Sequence, residues 1–145
     1  MPHSALAFDL TGSTNMGAAL VNAAQVLNAD AQNRAEAEKV VVLLTDGIAN
    51  EPEDPGGEPY ALTQAERVKG LGYKVYTIGL GEGVNANFLQ ELATAPRIAD
   101  EKFFYRAGSS KDLVGVYEQI AESICERGAA VIDVIPRVRD QVLEE

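Results

Sequence analysis

Residues 39–50 read KVVVLLTDGIAN, and the fold turns on them. Residues 40–44 are an unbroken apolar run, the pattern of a strand buried on both faces of a parallel sheet. Asp46 and Gly47 follow it. In open parallel sheets ligands bind outside the carboxyl ends of the strands. A carboxylate at that point, fixed and partly desolvated, suits a hard divalent cation such as Mg²⁺. The Asp-Gly pair reads equally well as an ordinary turn dipeptide.

Working outward, residues 48–60 (IANEPEDPGGEPY) hold four acids, three prolines and two glycines, the composition of a surface loop. Helical spacing returns over residues 60–71 and is broken at Gly72. A second buried-type strand spans residues 74–80. VNANFLQELATAP then gives a short helix stopped by Pro96, KFFYRA a third strand, and residues 109–128 a long amphipathic helix. Ser109 or Ser110 caps that last helix and Gly128 stops it. Upstream, residues 16–32 place Ala18, Ala19, Val21, Ala24, Val26 and Leu27 at helical spacing, with Thr14 or Asn15 as N-cap. Helices and strands alternate throughout, so the spacing predicts an α/β layered fold with a parallel sheet and right-handed crossovers. Residues 129–145 leave this rhythm. Val131, Ile132, Val134 and Ile135 suggest a strand ended by Pro136, either an extra strand of this sheet or the start of a following domain.

With 145 residues the chain suits one domain, over residues 1–128, with a core of its own; 46% of its residues are hydrophobic. Its 22 acidic and 12 basic residues give a formal net charge of −10. That balance argues against nucleic acid, whose binding rests on neutralising phosphates, and against anionic membrane surfaces. No run approaches the ~18 apolar residues of a membrane span, and no signal-peptide core is visible. Cys125 is the only cysteine, so no intrachain disulfide forms. On a helix it is expected as a buried, inert thiol.

Enzymatic chemistry finds little support. GLGEG (residues 79–83) places Gly79, Gly81 and Gly83 at alternate positions, without G-x-G-x-x-G spacing or a following P-loop lysine, so turn chemistry explains it better than phosphate binding. His3 is the only histidine and lies near a terminus, there is no G-x-S-x-G elbow, and the serines lack an evident general base.

Four motifs in order, TGSTNMGAAL, VVVLLTDGIAN, VYTIGLGEGVNANFLQELA and FFYRAGSSKDLVGVYEQIAESI, resemble a von Willebrand factor type A domain over about residues 9–127. The resemblance implies a three-layer, Rossmann-like α/β fold. It also implies a metal-ion-dependent adhesion site built from three loops: D-x-S-x-S after the first strand, a threonine before a helix, and an aspartate after a central strand. Carried onto this chain, Thr14 is a direct or near-direct ligand, and Asp46 ligates or holds a coordinating water. The ion is Mg²⁺, or Mn²⁺ or Ca²⁺ in its place, and its open position takes an acidic residue from a protein partner. Such a site performs recognition without covalent chemistry, in a larger surface or secreted protein.

Residues 8–17, FDLTGSTNMG, hold two overlapping signatures. Asp9, Thr11 and Ser13 have the form of the first metal motif, with SALAF as its strand. Shifted by three, Thr14 heads the threonine loop. The second reading accounts for the helix that follows and for the distance to Asp46, and leaves Asp9 and Ser13 as subsidiary candidates. The first motif and the first strands of the family's six-stranded sheet are then missing, the site keeps two of five side chains, and the chain alone is expected to bind the ion weakly or not at all. A sheet shortened in this way bares the apolar edge of the residue 40–44 strand. Exposed apolar edges recruit other strands, so self-association is expected, as a dimer pairing those edges or exchanging the tail.

Overall fold

A computed structural model of the chain describes residues 3–7, 14–31 and 36–134. Along it run β1 (His3–Ala7), α1 (Met16–Ala31), β2 (Lys39–Thr45), α2 (Gly57–Gly70), β3 (Lys74–Leu80), α3 (Ala86–Leu92), β4 (Phe104–Ala107), a 3₁₀ turn (Ser110–Asp112) and α4 (Leu113–Val134). The strands form one parallel sheet in the order β1-β2-β3-β4. Helices cover it on both faces, the three-layer α/β arrangement that the alternation implied.

Successive side chains on a strand point to opposite faces, and β2 and β3 use both. Val41, Leu43 and Val75 pack with Leu20 and Leu27 of α1, Ala65 and Val68 of α2, and Leu89 of α3. Val40, Val42, Tyr76 and Ile78 turn the other way, against Tyr105 of β4 and Val116 and Ile120 of α4. With a helical layer on each side, no position of the inner strands is left for a solvated residue, hence the continuous apolar runs. Thr77 is fully buried, but its hydroxyl donates to the Leu89 carbonyl at 2.8 Å, which meets its polar demand.

Side-chain caps set several helix starts. The Asn15 side-chain oxygen accepts from the Ala18 amide at 2.8 Å at the head of α1. Asn85 does the same for α3, accepting from Phe88 N at 3.2 Å, while its amide nitrogen donates to the Glu58 carboxylate of α2. Ser109 and Asp112 form a reciprocal capping box before α4.

Several expectations change. HSALA is a strand: β1 pairs in parallel with β2, Ala5 opposite Val41 and Ala7 opposite Leu43. The edge of β2 is therefore covered, and among the described residues the sheet ends at β1. α2 starts at Gly57 and not at residue 60, because a proline in a first helical turn gives up an N–H that has no intrahelical partner there. α4 does not stop at Gly128 and residues 131–134 are helical, not strand; residues 135–145 lie outside the described set. α1 buries Met16, Leu20, Ala23, Ala24 and Leu27 but leaves Val26 59% exposed, so its buried stripe is turned slightly from the expected one. Cys125 is exposed, not buried, on the outer face of α4.

Candidate metal centre

The carboxyl ends of the strands bring three segments together. At the end of β2, Thr45 is buried, and its hydroxyl bonds both ways with Gly47, accepting from the amide at 3.2 Å and donating to the carbonyl at 3.3 Å. This local turn folds the chain back on itself and leaves Asp46 at its outer bend. The Asp46 side chain is exposed. The partial desolvation expected for it is absent. The turn after β3 packs on the same loop: a Cβ on Gly83 would lie 3.3 Å from the Asp46 carbonyl oxygen.

Thr14 arrives from the other side, immediately before α1. Its amide donates to the Asn50 side-chain oxygen at 2.7 Å, and its carbonyl accepts from the amides of Asn50 at 3.0 Å and Glu51 at 3.2 Å. The peptide groups on both sides of Thr14 are thus fastened to the segment that follows Asp46. Its hydroxyl lies against the turn itself, since a Cβ on Gly47 would stand 3.6 Å from Thr14 Oγ1.

The structure therefore sets Thr14 beside the Asp46-Gly47 turn, two elements apart in sequence. Asp9 and Ser13 lie outside the described residues. Asn50 was not legible as a site residue: nothing in an acidic, proline-rich loop marks one asparagine as the partner of a threonine 36 positions away. GLGEG proves to be a strand end and a turn. Gly79 lies inside β3, where a Cβ would meet Val84 Cγ2 at 2.8 Å, and Gly81 takes a φ of +77° at the turn.

A hydroxyl and a carboxylate are the right kind of donors for a hard divalent cation, which takes six or more oxygens. In number they fall short. Among the described residues no three His, Cys, Asp or Glu side chains converge to hold a metal ion. The arrangement can contribute part of an oxygen shell and leave positions open for water, for further side chains, or for a ligand from another molecule. No described helix is long and apolar enough to cross a membrane.

Comparison with known proteins agrees with this fold. The sequence profile of the von Willebrand factor type A domain matches residues 4–119. The inter-alpha-trypsin inhibitor heavy chain H1 of Bos taurus is 26% identical over 122 residues, 81% of this chain and 13% of that protein. The thrombospondin-related anonymous protein of Plasmodium falciparum is 35% identical over 77 residues, 53% of this chain and 12% of its own length. The chain thus spans about an eighth of these two relatives. Among solved structures, manganese-loaded Plasmodium vivax TRAP protein is 32% identical with a TM-score of 0.53, covering 72% of this chain and 38% of that one. Proximal thread matrix protein 1 from the mussel byssus, with a zinc-occupied MIDAS motif, has a TM-score of 0.55 at 22% identity over 80% of this chain and 25% of that one, a likeness of fold. The chain belongs to the von Willebrand factor type A domain family.

Proposed function

We propose that this chain is a protein-binding module whose partner presents an acidic residue to a divalent cation at the carboxyl end of the sheet, Mg²⁺ or, in its place, Mn²⁺ or Ca²⁺. Thr14 contributes its hydroxyl as a direct or near-direct ligand. Asp46 contributes its carboxylate, to the ion or to a water on it. A bound cation supplies positive charge and an open coordination position for the partner's carboxylate, and no covalent bond is made or broken. The observation that carries this reading is the fastening of Thr14 against the Asp46-Gly47 turn. A manganese-loaded neighbour at 32% identity supports it.

Two oxygens make a weak site, so binding by the chain alone is weak, and Asp9 and Ser13 are the side chains proposed to add to it. The test is calorimetric titration with Mg²⁺ and Mn²⁺ of the native chain and of Asp46→Ala. Weak, saturable binding lost in the variant is expected. Binding that survives the substitution, or no binding to the native chain at all, contradicts the reading.

A second reading rests on the sheet edge. Among the described residues β1 ends the sheet, and an edge strand offers N–H and C=O groups to another strand. On this reading the chain is a scaffold or interaction module that pairs with a second copy through β1, without metal. Dimers that persist on dilution in EDTA favour it; a monomer under those conditions excludes it.

A further inference from the structure

We infer that Asn50 is the positioning residue of the Thr14–Asp46 site, and that the first turn of α2 holds Asn50 in place. The inference rests on the reading of Thr14 as a metal-facing group and deepens it.

Asn50 meets Thr14 twice. Its side-chain oxygen takes the Thr14 amide proton at 2.7 Å, and its own amide donates to the Thr14 carbonyl at 3.0 Å. These two bonds, one on each side of the Thr14 Cα, restrict both soft torsions of that residue. The Thr14 backbone, from which the hydroxyl projects, is thereby held by the loop that leaves Asp46. Residues that orient a ligand in this way tune a metal site without touching the ion. Here the orienting residue is four positions after Asp46, so a short closed circuit ties the two backbones together: Thr14, Asn50, and back along the chain to Asp46.

The circuit is pressed from behind by α2. A Cβ on Gly57 would lie 2.4 Å from the Ala49 carbonyl carbon, 2.5 Å from its oxygen and 2.6 Å from Asn50 N. These are backbone atoms that cannot rotate aside, so the start of α2 lies directly on the Ala49–Asn50 peptide. One turn along, Tyr60 lies on the start of α1: a Cβ on Gly17 would fall 2.2 Å from its ring. The same short stretch of α2 therefore backs both partners, Asn50 on one side and the residues after Thr14 on the other.

The test uses the whole chain, Mn²⁺ alone as the probe, and the variants Asn50→Ala and Asn50→Asp. Three quantities are read: Mn²⁺ affinity, exchange of the Thr14 amide hydrogen, and thermal stability. Asn50→Ala is expected to weaken Mn²⁺ binding about 10- to 100-fold, the range seen when an orienting partner is removed, and to speed Thr14 amide exchange. Asn50→Asp keeps an acceptor oxygen and is expected to restore amide protection and to bind Mn²⁺ better than Asn50→Ala. A purely structural role would lower the melting temperature alike in both variants and leave no such rescue. Native Mn²⁺ affinity or an unchanged Thr14 amide in Asn50→Ala overturns the inference. If the native chain binds no Mn²⁺, the metal reading fails, and the Thr14 amide decides the positioning claim separately: faster exchange in Asn50→Ala, restored in Asn50→Asp, upholds it, and unchanged exchange ends it.

Discussion

Among the described residues Thr14 is held by its backbone and not by its side chain: its amide and carbonyl make the bonds to Asn50 and Glu51. The hydroxyl is left for other work. Thr14→Val, which keeps the shape and removes the oxygen, should therefore alter folding stability by no more than about 0.5 kcal/mol, the range for substitutions that disturb no packing. The same variant should lose cation binding. Denaturant unfolding and calorimetry on one preparation check both halves, and a large loss of stability would show that the hydroxyl serves the fold. Asp46 was legible because it follows an unmistakable strand, and Thr14 because it precedes an apolar-periodic helix. Asn50 was not, because its role comes from a contact between segments that are distant in sequence. The exposure of Asp46 is not legible for a related reason: the turn it sits in, closed by the Thr45 hydroxyl on Gly47, leaves no trace in the strand pattern.

At the scale of elements, the inner strands were read correctly because burial on both faces leaves one signature, an apolar run, and residues 74–80 match β3 end to end. β1 enters only with the less favoured reading of residues 8–17, as SALAF, because five residues that include His3 and Ser4 are too little for either period to register. The sequence places the start of α2 late because Pro59 and two glycines read as loop, although its first turn tolerates both. Helix contacts are closest where glycine allows them. Gly17 admits the Tyr60 ring at a distance no methyl group can share. Gly17→Ala is therefore expected to destabilise the chain by about 1–3 kcal/mol, the usual cost of overpacking. Tyr60→Ala in the same molecule should return part of that loss, since the two substitutions touch one contact and are not additive. A double-mutant cycle by chemical denaturation measures this. Strict additivity would mean that the cost of Gly17→Ala arises elsewhere.

At the scale of the whole molecule, two apolar layers sandwich one parallel sheet, and at its carboxyl end the structure sets Thr14 beside the turn that carries Asp46. The fold class followed from the alternation of periods. The strand count and the identity of the edge did not, because pairing of β1 with β2 depends on backbone register that composition does not encode. The measurement that goes most directly to the central claim is paramagnetic broadening of backbone amide resonances by substoichiometric Mn²⁺. The amides of Thr14, Asn15, Asp46 and Gly47 should broaden first and together, with those of the β4 edge unaffected. Broadening centred on the acidic residues 53–58, away from Thr14, or spread evenly over the surface, would contradict a metal centre shared by Thr14 and Asp46.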